Sequence, residues 1–243
     1  MNKKIGILDS GIGGTTVLSK IKELLPKEDY VYYKDDRNNP YGEKSDDELQ
    51  EIVKTGVKFL LSNDCKIIVL ACNTATTKCI KNLRTEFKNT IFIGTEPAIK
   101  VACDNNYKNI LVLATETTIE SKRTMELVKQ NKKDYQEITL IKGKGLANAI
   151  EVNNKKEITR ILKNIKNQVK FNPDVIVLGC THYPLIIDDI KYFFKNAAII
   201  DGSDGVARQV KRLLEENNLL NSDGNGTVEY FSTKEKYASQ KSL

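Results

Sequence analysis

The sequence predicts an α/β protein built from two similar parallel-sheet domains, and three observations carry that prediction. One stretch occurs twice: residues 66–75 read KIIVLACNTA and residues 174–183 read DVIVLGCTHY, which places Cys72 and Cys180 at equivalent positions. Further apolar runs recur in the same order in both halves of the chain. Each cysteine stretch is also followed by apolar residues at helical spacing, as expected for strand–helix units.

The two cysteine stretches are typical of buried parallel strands, because their apolar runs are β-branched and too short for helices. Asn73 and Thr74 could cap a helix after Cys72, and Pro184 after Cys180 suits a first helical turn. Each thiol is therefore expected at the carboxyl end of a strand and beside a helix N-terminus. Ligands bind at such strand ends in open α/β sheets, and a helix N-terminus favours the thiolate.

The duplication extends to four strands in the same order. Besides the cysteine strands, IGIL at 5–8 matches ILVL at 110–113, YVYY matches ITLI, and IFIG at 91–94 matches AAII at 197–200. We predict a first domain formed by residues 1–97 plus 207–243, which carries Cys72, and a second domain, 98–206, which carries Cys180. Both crossings between the domains are short, which favours a cleft that opens and closes.

The composition indicates a globular protein with an adequate core, since 40% of the 243 residues are apolar and 29% are charged. The net charge of +6 is spread along the chain without a basic block, which disfavours nucleic acid as a partner. A lysine-rich solvated surface explains this charge best, although it also suits a small anionic substrate. The N-terminus lacks a signal-peptide core and no run approaches a membrane span, so we expect a cytoplasmic protein with no membrane contact.

Two loops carry residues that could bind a ligand. The stretch DSGIGG at 9–14 brings glycine backbone close to a ligand, but its spacing matches neither a dinucleotide fingerprint nor a P-loop. Taken alone, Asp9 and Ser10 are better explained as helix caps. In the turn Pro40-Tyr41-Gly42 the exposed backbone could bind a carboxylate, with a plain connecting loop as the alternative.

Other patterns indicate structure rather than chemistry. Ser45 and Glu48 form a capping box for a helix, and helices are expected near 97–106 and 155–170. Glu151 follows a short apolar helix pattern, which on its own favours a solvated side chain. The segment TVEYF predicts a last short strand before the chain frays.

The cysteines limit the chemistry that the chain can perform. Their odd count without a CxxC motif indicates reduced thiols, and Cys65, Cys79 and Cys103 are expected at a helix end or inside a helix. One histidine and no paired cysteine spacing disfavour a zinc site. A cysteine hydrolase could pair Cys180 with His182, but Cys72 would then have no role. Two thiols across a cleft suit the removal of a proton from one face of a carbon and its return to the other.

Four motifs resemble those of the glutamate racemases in the cofactor-independent aspartate/glutamate racemase superfamily. They are DSGIGG at 9–14, NPYGEKS at 39–45, ACNTAT at 71–76 and GCTHYP at 179–184, and the resemblance covers roughly residues 4–217. It implies two α/β domains related by pseudo-twofold symmetry, with the active site in the cleft between them. It also implies interconversion of L- and D-glutamate, which supplies D-glutamate for peptidoglycan, without pyridoxal phosphate or a metal.

The resemblance assigns roles motif by motif. Cys72 and Cys180 become the two acid/base catalysts, Asp9 supports Cys72, and His182 with Glu151 supports Cys180. The residues implied in binding the carboxylates and ammonium of the substrate are Asp9, Ser10, Tyr41, Gly42, Asn73, Thr74, Thr118, Thr181 and His182. Two positions depart from the family pattern: Asn38 stands where arginine is common, and Thr124 stands where tyrosine is common.

Several other functions stay open at the level of sequence. Aspartate is the nearest competing substrate, because discrimination of one methylene is worth only about 1–3 kcal/mol, and a broader amino-acid racemase is a related alternative. A small-anion binding protein would not need two thiols, and a cysteine hydrolase or decarboxylase would use one. The expected partner is the small-molecule substrate, glutamate, and a homodimer is an assembly that the sequence allows.

Overall fold

The computed structural model describes residues 3–235, which divide into two compact units. The described part of Met1–Thr95 and Ser203–Leu243 forms the first unit, and Glu96–Gly202 forms the second. The chain passes between the units at 95–96 and at 202–203. The sequence-based expectation placed these crossings a few residues later, at 97–98 and 206–207. The return is earlier because a helix starts at Ser203 and packs in the core of the first unit.

The first unit contains a five-stranded parallel sheet with the order β4-β3-β1-β2-β9. Its strands are β1 (Lys4–Asp9), β2 (Tyr30–Lys34), β3 (Cys65–Leu70), β4 (Ile91–Gly94) and β9 (Val228–Ser232). The short strand predicted in TVEYF is confirmed as β9, which pairs in parallel with β2. The predicted fraying after it falls on residues 236–243, outside the described residues.

Helices cover both faces of this sheet and bury its β-branched strands. They are α1 (Thr15–Leu24), α2 (Asp46–Ser62), α3 (Asn73–Glu86) and α10 (Ser203–Glu216). The helices α1 and α10 share one hydrophobic cluster with the strands, and α2 and α3 share another. The predicted cap of α2 is present, since the Ser45 side chain accepts a hydrogen bond from the Glu48 N–H at 3.3 Å.

The second unit repeats this topology with the strand order β6-β5-β7-β8. Its parallel strands are β5 (Asn109–Ala114), β6 (Glu137–Lys142), β7 (Val175–Gly179) and β8 (Ala198–Asp201). Read from the other edge, β4-β3-β1-β2 corresponds strand for strand to β8-β7-β5-β6. The duplication predicted from the spacing of apolar runs is therefore confirmed in the strand order of the two sheets.

The helices of the second unit are α4 (Ile99–Asp104), α5 (Glu116–Glu120), α6 (Lys122–Asn131), α7 (Leu146–Glu151), α8 (Lys155–Gln168) and α9 (Ile187–Phe193). They pack on the sheet in two hydrophobic clusters. Among residues 3–235, no helix is both long enough and apolar enough to cross a membrane.

The segment after Cys180 differs from the sequence-based expectation. A 3₁₀ turn at Tyr183–Ile186 comes first, and α9 begins only at Ile187. Pro184 lies at the start of that turn. It has no backbone N–H to donate to a hydrogen bond, and it restricts the backbone angles of the residue before it. The expected α-helix N-terminus beside the thiol is therefore present at Cys72 but not at Cys180.

Candidate active site

Cys72 lies just beyond the carboxyl end of β3, an interior strand of the sheet, as predicted. The hydrogen bonding between β3 and β1 continues one residue past the end of β3, where the Ala71 N–H donates to the Leu8 carbonyl at 2.9 Å. Cys72 then adopts extended backbone angles as the N-cap of the 14-residue α3, and it is 7% exposed. The positive end of the dipole of α3 favours an anionic sulfur at this position.

The residues after Cys72 are held in place within the first unit. Asn73 and Thr74 are the first residues of α3 and both are buried. The Asn73 side chain donates to the Thr95 carbonyl at 3.2 Å. This bond links the loop after β3 to the end of the neighbouring strand β4, so the cysteine loop has a fixed geometry.

Asp9 ends β1, the strand next to β3, and its carboxylate is fully buried. The Gly11 N–H donates to Asp9 Oδ2 at 3.0 Å, and the Tyr32 hydroxyl donates to the Gly11 carbonyl at 2.8 Å. A Cβ atom on Gly14 would lie 2.6 Å from the Asp9 Cβ. The glycine loop is therefore required for tight packing around the Asp9 carboxylate.

The glycine loop does not use its polar residues as helix caps. The helix α1 begins at Thr15, its N-cap is Gly14, and no side chain caps it. Asp9 and Ser10 lie several residues earlier, and Ser10 is 6% exposed. The capping interpretation that the sequence alone favoured is therefore wrong for this loop.

The turn after β2 buries its tyrosine and exposes its glycine. Tyr41 opens a 3₁₀ turn, Tyr41–Glu43, and its ring lies in the core with 2% exposure. Its hydroxyl donates to Asp35 Oδ2 at 2.7 Å. Burial, together with the Asp35 charge, raises the pKa of Tyr41 well above its ordinary value. The exposed Gly42 leaves the backbone of the turn as the part that can meet a ligand.

In the second unit, Cys180, His182 and Glu151 form a line of contacts. Cys180 directly follows β7 and is 7% exposed, and its Sγ lies 3.9 Å from His182 Nδ1. His182 Nε2 lies 2.8 Å from Glu151 Oε2. Because a carboxylate only accepts, Nε2 carries hydrogen, and in the neutral ring Nδ1 is then an acceptor that faces the thiol.

Glu151 is not the solvated residue that its local pattern favoured. It ends α7, which starts after Gly145 with a left-handed backbone (φ 75°), and its side chain is 11% exposed. The short helix carries this carboxylate to the loop after β7. The polar line from thiol to imidazole to carboxylate is the pattern of a base whose orientation is fixed by a third group.

The threonines lie at the same edge of the second sheet. Thr118 is buried on α5, after β5, and Thr181 follows Cys180 after the neighbouring strand β7. The Thr118 hydroxyl accepts from the Thr115 hydroxyl at 2.9 Å. Thr124, one of the departures from the family pattern, is buried and accepts from the Ser121 hydroxyl at 3.0 Å.

Within each unit, the predicted site residues follow the carboxyl ends of the strands. In the first unit these are Asp9, Ser10, Tyr41, Gly42, Cys72, Asn73 and Thr74; in the second they are Thr118, Glu151, Cys180, Thr181 and His182. The duplicated topology thus places one cysteine and one proton-accepting group at the same edge of each sheet. Sequence reasoning missed Asp35, although its place directly after β2 follows the same rule.

The remaining cysteines are buried thiols in different settings. Cys65 opens β3 rather than ending a helix, and Cys79 and Cys103 lie on α3 and α4. Burial raises the pKa of Cys65 and of Cys79 to about 12 and also raises that of Cys103. These shifts favour the protonated thiol, which is the less reactive form.

The residues present do not suggest a metal centre. Across positions 3–235, no group of three or more His, Cys, Asp and Glu side chains is placed to hold a metal ion. The polar groups at the two sheet edges are instead thiols, carboxylates, hydroxyls, an amide and one imidazole. These groups bind and move protons.

The chain is similar in sequence to known racemases. The family model described as Asp/Glu/Hydantoin racemase matches residues 5–210. A glutamate racemase from Clostridium botulinum is 39% identical over 227 residues, which cover 91% of this chain and 88% of the relative.

Two solved structures have the same fold. Escherichia coli glutamate racemase, in complex with L-glutamate and the activator UDP-MurNAc-ala, has a TM-score of 0.83 and 29% identity, covering 96% of this chain and 89% of that one. Francisella tularensis glutamate racemase, in complex with D-glutamate, has a TM-score of 0.80 and 29% identity, covering 96% of this chain and 88% of that one.

The fold and the cysteine-bearing sheet edges thus define an isomerase of the racemase class. The chain belongs to the Asp/Glu/hydantoin racemase family.

Proposed function

We propose that this racemase interconverts L-glutamate and D-glutamate. The relatives that support this are glutamate racemases, and the two solved structures above hold the L and the D enantiomer. The observation that carries the proposal is the matched placement of two cysteines. Each follows the equivalent strand of its sheet and has a proton-accepting group at the same edge, Asp9 for Cys72 and His182 for Cys180.

The two thiols have complementary roles in the reaction, one as base and the other as acid. One cysteine, as thiolate, removes the α-proton from one face of the substrate, and the other, as thiol, returns a proton to the opposite face. The roles exchange when the other enantiomer enters. The mechanism requires one α-carbon to meet both sulfurs.

The supporting groups adjust the protonation of each thiol. The Asp9 carboxylate, fixed by Gly11, assists proton transfer at Cys72. His182 accepts the Cys180 proton through Nδ1, and Glu151 stabilises the resulting imidazolium through Nε2. This arrangement needs neither pyridoxal phosphate nor a metal ion.

Hydroxyls, amides and backbone N–H groups would bind the charged ends of glutamate. The side chains of Ser10, Asn73 and Thr74 and the backbone of Tyr41 and Gly42 contribute from the first unit, and Thr118, Thr181 and His182 contribute from the second. Donors around the α-carboxylate are also needed to stabilise the carbanionic transition state. The D-glutamate formed would supply peptidoglycan synthesis.

Incubation with each enantiomer of glutamate, followed by chiral chromatography, tests the proposal. We expect both reactions to end at the same mixture of enantiomers, and exhaustive EDTA treatment to leave the rate unchanged. A chain that converts aspartate but not glutamate, or that converts neither, would refute the proposed substrate. Loss of turnover after EDTA, restored by a divalent metal, would refute the cofactor-independent mechanism.

A further inference from the structure

Asp35 is a buried carboxylate that three segments of the first unit contact at once. It directly follows β2 and is 1% exposed. Its Oδ2 accepts from the Tyr41 hydroxyl at 2.7 Å, and its Oδ1 accepts from the Thr233 hydroxyl at 3.0 Å. The Asn38 amide donates to both oxygens, at 2.9 and 3.0 Å. A carboxylate this deeply buried is stable only when such donors surround it.

The backbone fixes Asp35 relative to the Asp9 loop and to the last strand. The Asp35 N–H donates to the Asp9 carbonyl at 2.9 Å, which places it beside the end of β1. The Thr233 N–H donates to the Lys34 carbonyl at 3.0 Å and extends the pairing of β2 with β9. Asp35 therefore connects the Asp9 loop, the Tyr41 turn and the C-terminal segment.

The hydroxyl of Tyr41 is committed to Asp35. A phenol has one hydrogen to donate, and here it is donated to a carboxylate. The raised pKa of Tyr41 keeps that hydrogen in place at all ordinary pH values. The Tyr41 side chain therefore has no hydrogen to offer a substrate carboxylate, and the turn meets a substrate through its backbone N–H groups.

We propose that Asp35 is a positioning residue that sets the position of the Tyr41–Gly42 backbone for substrate binding, with Thr233 as its support from the C-terminal segment. This inference rests on the proposed function of the turn. A charge-assisted hydrogen bond at 2.7 Å fixes the ring, and the ring fixes the turn that follows Pro40. Asn38, where the family commonly has arginine, contributes a neutral donor to the same carboxylate.

The neighbouring Asp36 provides a matched control, which tests whether Asp35 only anchors the C-terminal segment. It is 7% exposed and also contacts the C-terminal segment. Its oxygens accept from the Ser232 hydroxyl at 2.9 Å and from the Lys234 N–H at 3.1 Å, and Lys34 Nζ lies 3.2 Å from Oδ2. The Thr233 hydroxyl, which is 3.0 Å from Asp35 Oδ1, also lies 3.2 Å from Asp36 Oδ1, so the two carboxylates share this contact and differ in the contact with Tyr41. If anchoring of β9 alone mattered, Asp36→Asn and Asp35→Asn would have the same effect on substrate binding.

The test compares Asp35→Asn, Tyr41→Phe and Thr233→Val with Asp36→Asn. The dissociation constant of D-glutamate is measured by calorimetry, and kcat and KM are measured in both directions. The amide introduced by Asp35→Asn retains a single acceptor oxygen, so one of the surrounding donors loses its partner.

We expect Asp35→Asn and Tyr41→Phe each to raise Kd and KM about tenfold, from the loss of a hydrogen bond to a charged group, with kcat within about threefold of wild type. Thr233→Val should have a smaller effect in the same direction, and Asp36→Asn should change Kd less than about twofold.

Combining Asp35→Asn with Tyr41→Phe should raise Kd much less than the product of the single effects, because both remove the same contact. Equal Kd values for the Asp35 and Asp36 variants, multiplicative effects in the double variant, or a loss confined to kcat would overturn the positioning role. If Asp35→Asn does not fold, Tyr41→Phe and Thr233→Val give the same comparison. Binding of D-glutamate without turnover by the wild-type chain would refute the proposed function instead, and the Kd comparison would then decide the role of Asp35. Absence of D-glutamate binding by the wild-type chain would overturn both the proposed function and the positioning role.

Discussion

The Glu151 carboxylate lies 2.8 Å from His182 Nε2, and the opposite ring nitrogen lies 3.9 Å from the Cys180 sulfur. All three side chains are largely shielded from water, so each electrostatic effect is stronger than at a surface. The carboxylate fixes the tautomer of the imidazole and stabilises its protonated form. In the proposed mechanism, this gives the cysteine of the second unit a proton acceptor with a defined orientation.

Replacing Glu151 with Gln should lower kcat about tenfold to a hundredfold and change KM little, because the amide keeps the size of the side chain but removes the charge that stabilises the imidazolium. Steady-state racemisation in both directions measures the effect. Glu137→Gln is the matched control, since the Glu137 side chain is 78% exposed. Similar kcat values for the two variants would show that Glu151 has no part in proton transfer.

Asp9→Asn and His182→Asn should lower kcat more than they raise KM. A group that assists proton transfer contributes about 10²–10⁴-fold to the rate. The same kinetic assay, with melting temperatures to verify folding, measures this. Near-normal kcat in both folded variants would mean that these side chains only maintain the loops.

Adding a methyl group at Gly14 should lower activity by displacing Asp9. The new Cβ would lie 2.6 Å from the Asp9 Cβ and 2.8 Å from the Tyr32 hydroxyl, so both must move. Displacement of a reacting group by about 1 Å costs up to about 10²-fold in rate. Gly205→Ala is the control, because its Cβ meets nothing within 4 Å in the first turn of α10.

The Gly205 control should have normal kcat and a free energy of unfolding up to about 1 kcal/mol higher, since alanine is the better helix former. Denaturant unfolding of both variants separates a catalytic effect from a loss of stability. If Gly14→Ala has wild-type kcat, close packing around Asp9 is not required for turnover.

Alkylation by iodoacetamide at mildly alkaline pH should modify Cys72 and Cys180 first, and glutamate should protect both. Thiolate is the reactive form, and a pKa of about 12 leaves Cys65 and Cys79 almost fully protonated at that pH. Burial also raises the pKa of Cys103, so less of this thiol is ionised. Peptide mapping identifies the modified residues. Inactivation that accompanies modification of Cys65, Cys79 or Cys103 alone would contradict the assignment.

The strand order and the place of both cysteines could be predicted because they depend on local patterns. Apolar runs of strand length, repeated in one order, define the duplicated sheets. Polar residues directly after such runs must lie at the carboxyl edge of a parallel sheet. That rule was sufficient to locate Cys72 and Cys180. The α-helix predicted directly after Cys180 was wrong, because a 3₁₀ turn at Tyr183–Ile186 precedes α9.

Contacts across long sequence separations could not be predicted in the same way. Glu151 and His182 are 31 residues apart, and only the packing of α7 brings them together. Asp35 and Thr233 are 198 residues apart and meet because β9 returns to pair with β2. In both cases the local pattern is an ordinary acidic residue after an apolar segment, and the partner is determined by the tertiary fold.

Isotope incorporation tests the two-thiol mechanism most directly. Thiol protons exchange with solvent, so in D₂O each enantiomer of glutamate should give the opposite enantiomer with deuterium at the α-carbon. Early in the reaction the recovered substrate should carry little deuterium, because the thiol that took its proton faces the side it came from and seldom gains a deuteron before product leaves. Mass spectrometry after chiral separation measures both pools. Deuterium in product and little in substrate, from either enantiomer, is the predicted result; equal early labelling of substrate and product would show that one base serves both faces and would contradict the account.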